Sequence, residues 1–311
     1  MTSPRLDGRV VAVTGVDGFV GRHVARLASH AGAEVVGVSR TAEADAALAS
    51  HLSAYRSADL RREWPEGLKP DVVIHLAGRS AVGPSFGSPQ AYLDDNSAMV
   101  TTMCEALIGS DAATRIVGVS TGAVYAPPAD GAGPTDESAP LRSSSPYVVS
   151  KLLVEHQLDY YALRGLSTVV ARPLNHIGPG QGPGFLLPDL VARLRALEDG
   201  QPLIVGDLDT ERDYSDVRDV AAAYLALAAA PTLEHRVYNV ASGVSTSGRR
   251  LLELVCEKLG RAVPELIVDE ALIRPADPRR IVGSAARLRA EAGWEPVFTL
   301  AESVGDMITA S

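Results

Sequence analysis

The chain has 311 residues, 46% of them hydrophobic and 22% charged, enough for about two domains with a sizeable core. Its formal charge of -9, from 38 acidic against 29 basic residues, argues against a nucleic-acid partner, which usually meets a basic surface. An anionic small molecule stays open, because local arginines bind phosphate even in an acidic protein.

Strand-like and helix-like patterns alternate from the start. Residues 1–8 are polar and lack the apolar core of a signal peptide. A β-branched run at 9–14 ends in a glycine turn, and 18–31 follows as a helix with Val20, Val24 and Leu27 on one face. Residues 34–39 form a second strand, and a short third strand precedes Asp59-Leu60. The continuous apolar run DVVIHL at 71–76 fits a strand covered on both faces. Helices are expected at 93–108 and 146–164, with strands at 115–120 and 167–172. After Arg172, the run NHIGPGQGPG at 175–184 is so rich in Gly and Pro that a loop is expected. A helix near 189–197, a strand at 202–205, a helix at 217–230, a strand at 236–240 and helices at 248–259 and 285–292 complete the chain. The longest apolar stretch, 220–230, is too short for a bilayer, which needs about 20 residues. Cys104 and Cys256 make neither a disulfide framework nor a zinc site, so free thiols, no metal and a cytoplasmic setting are expected.

Strand and helix in alternation define an α/β chain: a Rossmann-like, doubly wound parallel sheet with a smaller C-terminal substrate-binding domain. The expected division is 1–172 for the dinucleotide-binding domain, with 213–243 returning to it, and 173–212 with 244–311 for the substrate domain.

Gly15, Gly18 and Gly21 stand three apart between a strand and a helix, with Phe19 and Val20 between the last two. Gly15 permits the tight turn, Gly18 lets backbone approach a pyrophosphate, and Gly21 allows close helix packing. An acid at the end of the second strand would hydrogen-bond the adenine ribose. Ser39 and Arg40 stand there instead, which favours NADP(H) and leaves NAD(H) open. Asp59 and Leu60 fit a clamp on the adenine.

Ser145-Pro146 opens a helix in which Tyr147 and Lys151 lie one turn apart on one face. A free tyrosine, with a pKa near 10, exchanges protons poorly at neutral pH. A nearby ammonium and a helix N-terminus both favour the phenolate. Thr121, after the strand at 115–120, faces the crevice where ligands bind in such sheets and can bond the same substrate oxygen.

Together these residues resemble the extended short-chain dehydrogenase/reductase family, from about Val10 to Pro296. The likeness also rests on His75-Leu76-Ala77-Gly78, Asn96, Ser120-Thr121, Arg172-Pro173 and Arg212-Asp213-Tyr214. Asn175-His176-Ile177-Gly178-Pro179-Gly180-Gln181, Asp216-Val217-Arg218-Asp219, Ile273-Arg274-Pro275 and Val282-Gly283-Ser284 are similar to the GDP-4-keto-6-deoxymannose reductase branch. The resemblance implies a catalytic triad of Thr121, Tyr147 and Lys151, with Lys151 also holding the nicotinamide ribose. It implies that Leu76, Ala77, Gly78, Tyr147 and Pro173 line the cofactor, and that Ser80, Asn175, Arg212 and Arg274 contact a nucleotide sugar. Arg212 could instead pair with Asp213, and Arg274 could be an exposed loop charge. The family's dehydratases carry Asp-Glu after the active-site Thr, where this chain has Gly122-Ala123. The implied activity is NAD(P)H-dependent reduction of a GDP- or dTDP-linked 4-keto-6-deoxyhexose. A nucleotide-sugar 4-epimerase is the alternative, and a non-catalytic NADP-sensing protein a remote one. A homodimer through helices 93–108 and 146–164 is implied as well.

Overall fold

The structure is a computed structural model that describes residues 6–109, 113–129, 131–198, 200–273 and 278–310. The first part runs β1 (Val10–Thr14), α1 (Phe19–His30), β2 (Glu34–Ser39), α2 (Ala46–Ala49), β3 (Ala54–Ser57) and β4 (Val72–His75). It continues with α3 (Val82–Ser85), α4 (Pro89–Leu107), β5 (Arg115–Val119), α5 (Pro146–Leu163) and β6 (Ser167–Pro173). Next come β7 (Asn175–Ile177), α6 (Leu186–Ala196), β8 (Leu203–Val205), β9 (Glu211–Asp216), α7 (Val217–Ala229) and β10 (Val237–Val240). The chain closes with β11 (Ser245–Ser247), α8 (Gly248–Leu259), β12 (Leu266–Val268), β13 (Arg280–Ile281), α9 (Ala286–Ala292) and α10 (Leu300–Ala310).

Seven strands form one parallel sheet in the spatial order β3-β2-β1-β4-β5-β6-β10. Alternate side chains of a strand point to opposite faces. Val11, Val13, Val72 and Ile74 accordingly join Val24 of α1 and Tyr224 of α7 in one core. Ala12, Val73 and Ile116 join Val100 of α4 and Val154 of α5 in a second core across the sheet. Helices on both faces explain why DVVIHL is apolar throughout rather than alternating.

A further core gathers Leu187 and Leu190 of α6, Leu203 of β8, Leu251 and Val255 of α8, and Met307 of α10. Around it lie a small sheet, β11-β9-β13 with β7 beside β9, and the parallel pair β8-β12. Ala285, Leu288 and Trp294 pack instead into the first core, with α1 and α7. The Gly- and Pro-rich run is a loop only in part: its first three residues are β7, hydrogen-bonded parallel to β9 with Asn175 opposite Tyr214. Helix α4 starts at Pro89, four residues before the expected 93, because a proline at the first helical turn lacks only an N–H that would be unpaired anyway.

Among the described residues, no helix is long and apolar enough to cross a membrane, and no group of His, Cys, Asp and Glu gathers that could hold a metal ion. Cys104 and Cys256 are buried free thiols.

Candidate active site

Gly15 leaves β1 with φ +67°, and a Cβ there would lie 2.9 Å from the amide nitrogen of Ala77. A Cβ on Gly21 would lie 2.3 Å from the Gly15 carbonyl oxygen and 2.8 Å from Val16 Cα. Gly21 therefore lets α1 close onto the turn rather than onto the sheet alone. Gly18 is the N-cap of α1 with no side-chain cap. The first amides of the helix, including those of Phe19 and Val20, thus have no intrahelical acceptor, the arrangement that takes a pyrophosphate. These glycines fit a dinucleotide, because a side chain at Gly15 or Gly21 would push apart the turn that presents those amides.

The rest of the cofactor groove lies along the carboxyl ends of β1, β2 and β4. Ser39 ends β2, and Arg40 follows it, exposed and without a partner among the described residues. Leu60 is buried against Val38 and Ala58, with Ala77 packed beside them, so Leu60 and Ala77 share one apolar wall. Both carboxylate oxygens of Asp59 accept from Arg61, at 2.8 and 2.7 Å, which holds that acid at about 2, well below its ordinary value. Thr14 Oγ1 accepts the amides of Leu76 and Ala77 and lies 2.9 Å from His75 Nδ1. A Cβ on Gly78 would sit 3.1 Å from Asn96 Oδ1 and 3.7 Å from Lys151 Nζ, so Gly78 lines the path to the lysine. Asn96 brackets the next peptide, accepting from the Arg79 amide at 2.7 Å and donating to its carbonyl at 3.2 Å. Ser80 follows, exposed.

The sequence places Tyr147 and Lys151 on one face of α5, whose N-cap Ser145 accepts from the Val148 amide. The Thr121 hydroxyl stands beside the Tyr147 phenol and eases it toward phenolate. Thr121 is itself fixed, accepting from the Ala123 amide at 3.2 Å as cap of the short turn Gly122–Val124. Lys151 Nζ, buried, donates to the Val119 carbonyl at 2.9 Å. Burial pulls the lysine down to about 8, with Glu155 opposing the shift. Tyr147 departs from the expected easing toward phenolate. Burial pushes its phenol above the ordinary value and outweighs the opposing effect of the Thr121 hydroxyl. A phenol that stays protonated at neutral pH is the form a proton donor needs.

Of the substrate-side residues, Asn175 is exposed at the start of β7, with Leu174 between it and Pro173, the last residue of β6. Arg212 lies on β9, the strand that pairs with β7, and its Nη1 donates to the carbonyls of Glu211 and Pro278 at 2.7 and 2.9 Å. The pairing with Asp213 that the sequence leaves open is not made. Neighbours on a strand face opposite ways, and Asp213 instead accepts from the Ser242 amide and hydroxyl and from the amides of Gly243 and Gly283. Arg274 lies outside the described residues. His176 stacks on Phe19 at 6.0 Å, and His23 on α1 bonds the Pro179 carbonyl at 2.9 Å, so the glycine turn and the 175–184 segment touch directly. That link, and the buried partners Glu155 and Arg172 beneath the triad, are not among the expected site residues. A third buried position at i+4 after Tyr147 and Lys151 was the one available signal for Glu155.

Fold and site define a Rossmann-type enzyme built around a nucleotide cofactor. The chain belongs to the NAD dependent epimerase/dehydratase family, whose sequence model matches residues 11–241. The GDP-6-deoxy-D-mannose reductase of Pseudomonas aeruginosa is 35% identical over 94% of this chain and 93% of its own length. The UDP-glucose 4-epimerase of Streptomyces lividans is 32% identical over 91% and 90%. The structure of RMD from Pseudomonas aeruginosa complexed with NADPH matches with a TM-score of 0.82 at 32% identity, over 97% of this chain and 98% of that one.

Proposed function

We propose that this protein reduces the 4-keto group of a nucleotide-activated 4-keto-6-deoxyhexose, GDP- or dTDP-linked, to the nucleotide 6-deoxysugar, using NADPH in preference to NADH. The observation that carries the reading is the buried Tyr147, one helical turn from the buried Lys151 on α5 and beside the Thr121 hydroxyl. NADPH, when bound, supplies the hydride. Tyr147 supplies the proton to the C4 oxygen, so carbonyl and two electrons become an alcohol. Thr121 orients that oxygen, and Lys151 holds the nicotinamide ribose and offsets negative charge left on the phenol. The proton on Tyr147 is restored from water.

The glycine turn with Ser39, Arg40, Asp59, Leu60, Leu76, Ala77, Gly78 and Pro173 would hold NADP(H). Ser80, Asn175, Arg212 and Arg274 would hold the sugar and its diphosphate. In this division residues 1–172 and 213–243 bind the dinucleotide and 173–212 with 244–311 bind the sugar nucleotide. Gly122-Ala123 offer no acid or base for dehydration. We place the enzyme in the cytoplasm, where buried thiols stay reduced. We further assign a homodimer through α4 and α5, where Val149, Leu153 and Tyr160 are exposed on α5. Sedimentation showing only monomer at micromolar concentration removes that assignment.

The test is incubation with NADPH and a panel of freshly made nucleotide 4-keto-6-deoxy sugars. Reduction consumes NADPH mole for mole with the 6-deoxysugar. An epimerase, the activity of the Streptomyces relative, interconverts 4-hydroxy sugars with no net cofactor use. A sensor binds NADPH and turns nothing over.

A further inference from the structure

One face of α5 carries Tyr147, Lys151 and then Glu155, all buried. Glu155 Oε1 accepts from Ser120 Oγ at 2.5 Å and from Arg172 Nε at 2.9 Å, while Oε2 accepts from Arg172 Nη2 at 2.6 Å. Arg172 also donates to the Tyr125 hydroxyl at 3.0 Å, and that hydroxyl donates to Asn239 Oδ1 at 2.6 Å. The network spans α5, the end of β5, β6 and β10. It meets the catalytic residues at the end of β5, where the Val119 carbonyl accepts from Lys151 and Ser120 donates to Glu155, with Thr121 the next residue.

A buried ion pair returns little stability over apolar groups of the same shape, because both charges lose their water. Stability alone therefore does not explain this pair one turn behind a catalytic lysine. We propose that Glu155, held by Arg172 and Ser120, is the positioning residue that keeps Lys151 charged and in register with Tyr147. The geometry gives each member a role. Glu155 supplies the counter-charge that a buried ammonium needs. Arg172 takes both oxygens of Glu155, so the carboxylate acts on Lys151 only through its charge and the ammonium makes its hydrogen bond to the Val119 carbonyl. Ser120 fixes the carboxylate to the strand end that carries Thr121.

The other groups facing Lys151 leave Glu155 as its one acid. On α5 these are Tyr147 and Glu155. From β4 comes His75, which burial and the lysine itself hold neutral, down to about 3. Arg172 stands behind Glu155 on β6. Asn96 on α4, the Gly122–Val124 turn and α3 bring no titratable group.

The two halves of the pair should then move Lys151 in opposite directions. Glu155→Gln removes the counter-charge and lowers the lysine's titration midpoint. Arg172→Gln removes the competing cation and raises it. Each shift should be about half a pH unit or more. Glu155→Gln keeps an acceptor for Ser120, whereas Arg172→Gln shortens the side chain and leaves the Glu155 carboxylate without its cation, so folding of that variant is checked first. The chain has only three lysines, Lys69, Lys151 and Lys258, so lysine labelled with ¹³C at Cε gives three resonances to titrate by NMR. The high-pH limb of kcat, read with NADPH and the 4-keto sugar, should shift the same way. That second arm rests on the reductase reading, and the first does not. Absence of turnover in the wild type sinks the reductase reading alone. A Lys151 midpoint that moves the same way in both variants, or in neither, overturns the positioning role, as a purely structural pair would predict. Should Arg172→Gln not fold, Glu155→Gln decides, and an unchanged or raised midpoint overturns the proposal.

Discussion

Leu174 occupies the space that a side chain on Gly122 would need. A Cβ on Gly122 would lie 2.9 Å from Leu174 Cδ1 and 3.3 Å from the Pro173 carbonyl oxygen. On its other side Leu174 meets Gly283, where a Cβ would lie 2.8 Å from the same Cδ1. The leucine is thus wedged between the turn that Thr121 caps and the segment following β13. A side chain at 122 would have to displace Leu174, whereas Ala123 is exposed.

Gly122→Ala should therefore cost about 1–3 kcal/mol through overpacking. Because the turn carries Thr121, a displacement there should also lower kcat on the order of ten- to a hundredfold. Adding Leu174→Ala should return part of the activity. A urea series with matched kinetics reads both effects, and an unaltered Gly122→Ala enzyme contradicts the packing argument.

Much of this site is legible in the sequence because its residues sit at strand ends and helix starts with local signals. Gly15, Gly18 and Gly21 mark a turn, and Ser145-Pro146 marks the helix that carries Tyr147 and Lys151. The paired strands β7 and β9 are harder. NHI lies in a glycine- and proline-rich run, and ERDYSD has no alternating apolar face, since Asp213, Ser215 and Asp216 are the buried members. Without that alternation nothing indicates that Arg212 and Asp213 face apart. The bonds from Glu155 to Ser120 and Arg172 join segments 35 and 17 residues apart and have no periodic trace.

Tyr147→Phe should lower turnover by about 10² to 10⁴, the usual worth of a general acid, and leave NADPH affinity close to the wild type. The phenyl ring keeps its edge contact with Tyr92, at 6.4 Å between centroids, so the helix start should hold. Retention of more than about half of the rate assigns the proton to another group.

Arg40 is exposed at the end of β2 and free of partners among the described residues, so its charge is available to a 2′-phosphate. Arg40→Ala should weaken NADPH by about 1.5–3 kcal/mol, the worth of a charge-assisted hydrogen bond, and NADH far less. Fluorescence titration with both cofactors checks this. Equal losses remove the phosphate role.

Arg212→Ala should raise KM for the nucleotide sugar, with kcat/KM falling roughly ten- to a hundredfold for the loss of one charge-assisted bond. NADPH binding should hardly change, since the cofactor phosphates are assigned to the glycine turn. Competition by a nucleoside diphosphate separates the outcomes: equal inhibition of variant and wild type shows that Arg212 does not hold the diphosphate.

His75 sets an acid limit on stability. Thr14 Oγ1 already accepts two amides, from Leu76 and Ala77, so its own hydrogen is left for His75 Nδ1, 2.9 Å away. That nitrogen must accept, and the ring is neutral. Burial first, and then the charge of Lys151, pull the imidazole down to about 3 from its ordinary 6.5. Between those values the unfolded chain binds a proton at this residue and the folded chain does not. Stability is therefore unaffected above pH 6.5 and falls as the pH drops toward 3, by roughly 4–5 kcal/mol at most from this one group. Carboxylates add their own acid dependence, so the comparison is between variants. His75→Asn keeps an acceptor for Thr14 and cannot take a proton. Urea unfolding at pH 6.5 and 4.5 should show the wild type losing roughly 2–3 kcal/mol more than His75→Asn over that interval. Parallel losses in the two proteins would mean that His75 is protonated in the folded chain as readily as in the unfolded one.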